Sequence, residues 1–97
     1  MQNENEAFNE AALVKLDGEY DLGRKEELRQ LFESCNAYAP LVIDLSNVSF
    51  IDSSALNELM RLRNQNTDRS LALTGVSEQI RRILQIANVD RLFDVFD

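Results

Sequence analysis

Ninety-seven residues carry 17 carboxylates against 10 lysines and arginines, a formal net charge of −7, with 44 % hydrophobic residues, no histidine and one cysteine. A chain of this length forms one domain, burying roughly 60–70 % of the surface that its unfolded form exposes. The acidic balance argues against nucleic acid, whose phosphates need a basic patch, and against direct contact with an anionic membrane; a lone cysteine makes no internal disulfide.

Residues 1–10, "MQNENEAFNE", are polar and acidic, unlike a signal peptide, and are expected to form a flexible tail before a domain spanning 11–97. No apolar run approaches the roughly 18 residues of a membrane span, so the expected compartment is the cytoplasm. "AALVKLDGEYD" suggests two short strands broken near Gly18, with Leu13, Val14 and Leu16 as apolar content. From about Gly23 the period changes. Leu28, Leu31, Phe32 and Cys35 stand at i, i+3, i+4 and i+7, one face of a helix. Pro40 closes the next loop and biases Ala39 toward extended backbone.

Leu41-Val42-Ile43 is a continuous apolar run ending at Asp44, the pattern of a strand covered on both faces. A second helix follows "DSS", with Leu56, Leu59, Met60 and Arg63 on one stripe and Ala55 and Leu62 beside it. "SLALTG" supplies another strand. Ile80, Ile83, Leu84 and Ala87 repeat the helical spacing, and Asn88 sits where a left-handed residue would stop that helix. "LFDVF" completes the series as a last strand. The fold class predicted is α/β, a single small domain with a mixed, largely parallel sheet of four to five strands and about three helices.

Much chemistry is excluded by composition. Without histidine there is no Ser-His-Asp or Cys-His arrangement and no His-ligated zinc site. Glycines 18, 23 and 75 build no phosphate-cradling loop, and Cys35 on the apolar stripe is expected to be plain core. Asp44 and Asp52, both expected near the end of the third strand, could together hold Mg²⁺ for phosphoryl transfer. However, the only lysines, Lys15 and Lys25, are not placed to neutralise a transferred phosphoryl.

The serines of Asp52-Ser53-Ser54 have two readings. Any of the three residues could cap the helix, although a complete capping box counted from Ser54 fails at Asn57. Alternatively, an exposed serine at a helix start is a modification site. Its phosphate would gain from the dipole and free N–H groups, and its charge of about −1.5 to −2 beside Asp52 would repel an acidic partner surface.

"VIDLSNVSFIDSSALNELMRL" resembles the central signature of STAS domains, the family of bacterial anti-sigma-factor antagonists. "LDGEYDLGRKEELRQLF" resembles the family's Gly-Glu-x-Asp turn and first helix, carried by Gly18, Glu19 and Asp21, and "LALTGVSEQIRRILQIANVDRLFDVF" its closing elements. The resemblance implies a cytoplasmic protein with no catalysis, cofactor or metal of its own. In the unphosphorylated form it would bind an anti-sigma factor that is also a serine kinase of the histidine-kinase-like ATPase type, releasing the sigma factor. It further implies phosphorylation at Ser53, reset by a phosphoserine phosphatase, and a partner-binding surface of Asp21, Asp52, Ser53, Ser54, Asn57 and Glu58. Ala55 departs from the family's usual glycine, Asn88 stands where glycine is frequent, and the sequence ends at Asp97, where many relatives add a helix. That ending suits the alternative of a non-switching STAS subunit packed on the ATPase of a phospholipid-transport complex.

Overall fold

Strands and helices alternate in the computed structural model, which describes residues 11–35, 39–65 and 68–96. The strands are β1 (Ala12–Tyr20), β2 (Leu41–Ile51), β3 (Leu71–Thr74) and β4 (Asp94–Val95). They lie side by side in chain order, each parallel to the next. Parallel neighbours need a crossover between them. Helices α1 (Lys25–Glu33), α2 (Ser53–Gln65) and α3 (Glu78–Ile86) supply the three crossovers.

Alternation along the strands selects the core face. Val14 and Leu16, Leu41, Ile43 and Leu45, and Leu71 and Leu73 are buried in one cluster with the helical stripes. Those stripes contribute Leu28 and Phe32 from α1, Ala55, Leu56, Leu59 and Leu62 from α2, and Ile80 and Leu84 from α3. Leu31, Met60, Ile83 and Ala87 pack at its margin. The predicted helical faces therefore share one core.

Local chemistry sets the element ends. Ser77 caps α3 by accepting from the N–H of Ile80, and Asn88, at φ 61°, is the left-handed residue that stops it. Gly75 leaves β3 at φ 67°, where an added Cβ would lie 2.7 Å from the Ser46 Cβ.

The sheet corrects three expectations. The first strand is not broken in two: β1 runs on through Gly18, at φ 78°, with register irregularities on either side of it. Arg24 makes that kink tolerable. Its guanidinium donates to the carbonyls of Asp17 (2.6 Å) and Glu19 (3.2 Å), groups a regular ladder would otherwise satisfy, and lies 3.9 Å over the Tyr20 ring. Second, β2 does not end at Asp44 but continues to Ile51, because the far half of β1 supplies it with a partner. Third, the sheet is parallel throughout rather than mixed: the described residues form four strands, within the expected four to five, all in parallel pairs. The expected tail at residues 1–10 lies outside the described residues.

Candidate functional site

The long β1–β2 pairing delivers the candidate residues to one end of the sheet. Tyr20 pairs with Ile51, and the Asp52 N–H donates to the Tyr20 carbonyl at 3.1 Å, so both strands finish together. With adjacent strands about 4.8 Å apart, Asp21 and Asp52 leave the sheet as neighbours. Asp21 is exposed, and its Oδ1 accepts from the N–H of Gly23 at 3.0 Å, capping a 3₁₀ turn over Leu22–Arg24.

Asp52 settles which residue caps α2. Its Oδ1 accepts from the N–H groups of Ser54 (2.9 Å) and Ala55 (3.2 Å), and its carbonyl accepts from Leu56 (3.0 Å). The serines are thus the first two helical residues and neither is the cap. Ser53 is exposed and Ser54 half-buried, and neither hydroxyl has a hydrogen-bond partner among the described residues. The expectation of free N–H groups for a Ser53 phosphate needs correction, because Asp52 already occupies two of them.

Asn57, one turn beyond Ser53, is exposed. Glu58 is placed otherwise than expected. It is 3 % exposed and forks onto Arg29 of α1, accepting from Nε at 3.1 Å and Nη2 at 2.9 Å. The forked guanidinium holds the Glu58 carboxyl below its ordinary pKa, against the opposing effect of burial. Glu58 therefore joins α1 to α2 instead of facing solvent.

Two apolar residues at this end escaped the sequence reasoning. Leu22, adjacent to Asp21, is 69 % exposed, and Phe50, two residues before Asp52, is 41 % exposed. A signal was present in the adjacent pair Phe50-Ile51: successive strand residues face opposite ways, so only one could enter the core. Ile51 did, and Phe50 faces out.

Asp44 is not part of this constellation. It lies inside β2, separated from Asp52 by several residues of extended chain at about 3.3 Å each. Its Oδ1 accepts from the N–H of Ser46 at 2.9 Å, and bonds from that residue's backbone and hydroxyl hold its pKa down. The two aspartates do not form the shared Mg²⁺ site considered from sequence, and among the described residues no three acidic or thiol groups cluster as metal ligands.

The STAS domain family model matches residues 3–97. A STAS-domain containing protein of Pseudomonas aeruginosa is 33 % identical over 86 residues, spanning 84 % of each chain. An anti-sigma-B factor antagonist of Staphylococcus aureus is 31 % identical over 87 residues, covering 84 % of this chain and 80 % of the relative. Among solved structures, one described as a candidate anti-sigma factor antagonist of Thermotoga maritima superposes with a TM-score of 0.80 at 20 % identity, covering 90 % of this chain and 79 % of that one. A sulfate transporter family protein of Wolinella succinogenes follows at 0.75 and 18 % identity, covering 90 % and 74 %. At these identities the structures speak to the fold alone, whereas the family match spans nearly the whole sequence. The chain belongs to the STAS domain family.

Proposed function

We propose that this protein is an anti-sigma-factor antagonist whose binding is switched off by phosphorylation of Ser53. The observation that carries the reading is the division of labour at the start of α2. Asp52 alone caps the helix, which leaves the exposed Ser53 hydroxyl with no structural duty among the described residues. The 31 % identity to an anti-sigma-B factor antagonist supports an anti-sigma factor as the partner class. In the proposed cycle this partner is also the serine kinase acting on Ser53.

The unphosphorylated surface offers Leu22 and Phe50 as apolar anchors beside the Asp21 and Asp52 carboxylates, with Asn57 at the edge. Such a patch suits a partner groove with an apolar floor and a basic rim. A phosphate on Ser53 adds about −1.5 to −2 charges next to Asp52. Two nearby N–H groups are already taken, so the phosphate stays at the surface, where like-charge repulsion and the cost of desolvating it oppose docking. The protein does no catalysis in this cycle; a phosphatase resets it.

Incubation with the cognate kinase and ATP should add one phosphate, mapped to Ser53 by mass spectrometry. Ser53→Ala should block this with little change in the melt or in partner binding, Ser54→Ala should remain a substrate, and Ser53→Asp should weaken binding. Phosphate found on Ser54, or a phosphorylated protein that binds as tightly as before, would overturn the reading. The second result would favour a STAS subunit that packs on a transport ATPase without switching.

A further inference from the structure

Away from the Ser53 surface, α1 and α2, with Cys35 and Arg69, line a half-open cavity of about 240 Å³. Phe32, Leu62 and Cys35 give it apolar walls. The charges around it are unusual for so acidic a chain, since three guanidiniums face two carboxylates. Arg29 is committed to Glu58 and also faces Glu26 and Glu33, the latter on the α1 wall. Arg69 is buried, its Nε donating to the Ala39 carbonyl at 2.7 Å. Arg61 differs. It is exposed and makes no hydrogen bond or close ion pair among the described residues, although its charge acts on the Glu58 carboxylate at a longer range. Gln65, one turn further along the same face, makes no hydrogen bond among them either.

We propose that this cavity binds a small organic anion, one carboxylate or phosphate group on a compact apolar body, with Arg61 and Gln65 as its polar receptors. The volume suits a single-ring acid and is below the roughly 300 Å³ of the smallest drug-sized sites. The ring would lie on Phe32, Leu62 and the Cys35 thiol. The anionic group would meet Arg61, whose guanidinium forks onto carboxylate or phosphate oxygens. Arg61 stands eight residues beyond Ser53 on α2, about 12 Å along the helix axis, so the site is separate from the proposed switch.

The test is a titration of the full chain followed by amide NMR, with benzoate and phenyl phosphate as probes and benzyl alcohol and inorganic phosphate as controls. Benzoate and phenyl phosphate should shift the Phe32, Cys35, Arg61 and Leu62 resonances. They should also slow alkylation of Cys35, the one thiol in the chain, by iodoacetamide. Each control should bind at least roughly tenfold more weakly. Arg61→Gln should weaken both anions by a similar factor while the melting temperature and Ser53 phosphorylation stay unchanged. Benzyl alcohol binding as tightly as benzoate would reduce the site to apolar surface. Inorganic phosphate binding equally well would reduce it to a patch of charge. Either result overturns the proposal, as does the absence of shifts up to about 10 mM, or an Arg61→Gln variant that binds like the parent.

Discussion

Replacing Glu58 by alanine removes one half of the ion pair that joins α1 to α2. The carboxylate is 3 % exposed, whereas the Arg29 side chain is 30 % exposed and keeps Glu26 at 3.7 Å. Orphaning one member of a fully buried pair costs about 3–5 kcal/mol, and an exposed pair is worth about 0–1 kcal/mol. One buried end and one partly solvated end place this pair between those limits, at about 1.5–3 kcal/mol. For a domain of this size the melting temperature should fall by on the order of 10 °C. Glu58→Gln, which keeps one acceptor for the guanidinium, should lose less. The double variant Arg29→Met with Glu58→Met should recover much of the loss, because apolar side chains of similar volume often replace a buried pair without penalty. Urea unfolding measures all four proteins, with unchanged m-values needed to compare their midpoints. A loss under about 0.5 kcal/mol for Glu58→Ala, together with weakened anti-sigma-factor binding, would refute the reasoning and return Glu58 to the partner surface.

Gly75→Ala should destabilise by about 2–4 kcal/mol, since it combines a left-handed backbone with a Cβ placed 2.9 Å from the Asp44 Oδ1 and 2.7 Å from the Ser46 Cβ; a melt within 2 °C of the parent would contradict this. Hydrogen bonds from Arg29, Ser46 and Arg24 hold Glu58, Asp44 and Glu27 below their ordinary values. A depressed carboxyl stabilises the fold above its unfolded pKa and loses that contribution as pH falls through the folded value. Stability should therefore decline from about pH 4.5 downward, and more shallowly in Glu58→Gln, an outcome that acid titrations at fixed urea would check. Arg24→Ala should lower the melting temperature modestly and speed amide exchange around Gly18–Asp21, because the exposed carbonyls of Asp17 and Glu19 exchange a fixed donor for water. Lysine should not restore protection, as one ammonium cannot reproduce the planar fork; full rescue by lysine would argue that charge alone matters there.

The helices were legible because their signal is local. Leu28 with Phe32, Leu56 with Leu59 and Ile80 with Leu84 repeat at helical spacing, and each pair lies in the core. Asn88 likewise marked a helix end by its own tolerance of positive φ. The length of β2 was not legible, because "LSNVSF" lacks the apolar run of Leu41–Ile43 and is held extended by β1, through a kink that Arg24 stabilises from outside the strand. Nor could the sequence separate the three candidate caps in Asp52-Ser53-Ser54, all of which carry suitable oxygens. The end of the sheet decides it: the bond from the Asp52 N–H to Tyr20 leaves the Asp52 carboxylate to cap α2 and the serines inside the first turn. Glu58 shows the same limit most clearly. On a helix start it looks like an exposed acid, and only Arg29, 29 positions earlier on a neighbouring helix, makes its burial tolerable. Helical periodicity and the left-handed stop at Asn88 belong to residues and their near neighbours, so sequence alone determined them. Which polar groups are buried, paired or left facing solvent depends on partners brought together by packing, and only the tertiary structure decided that.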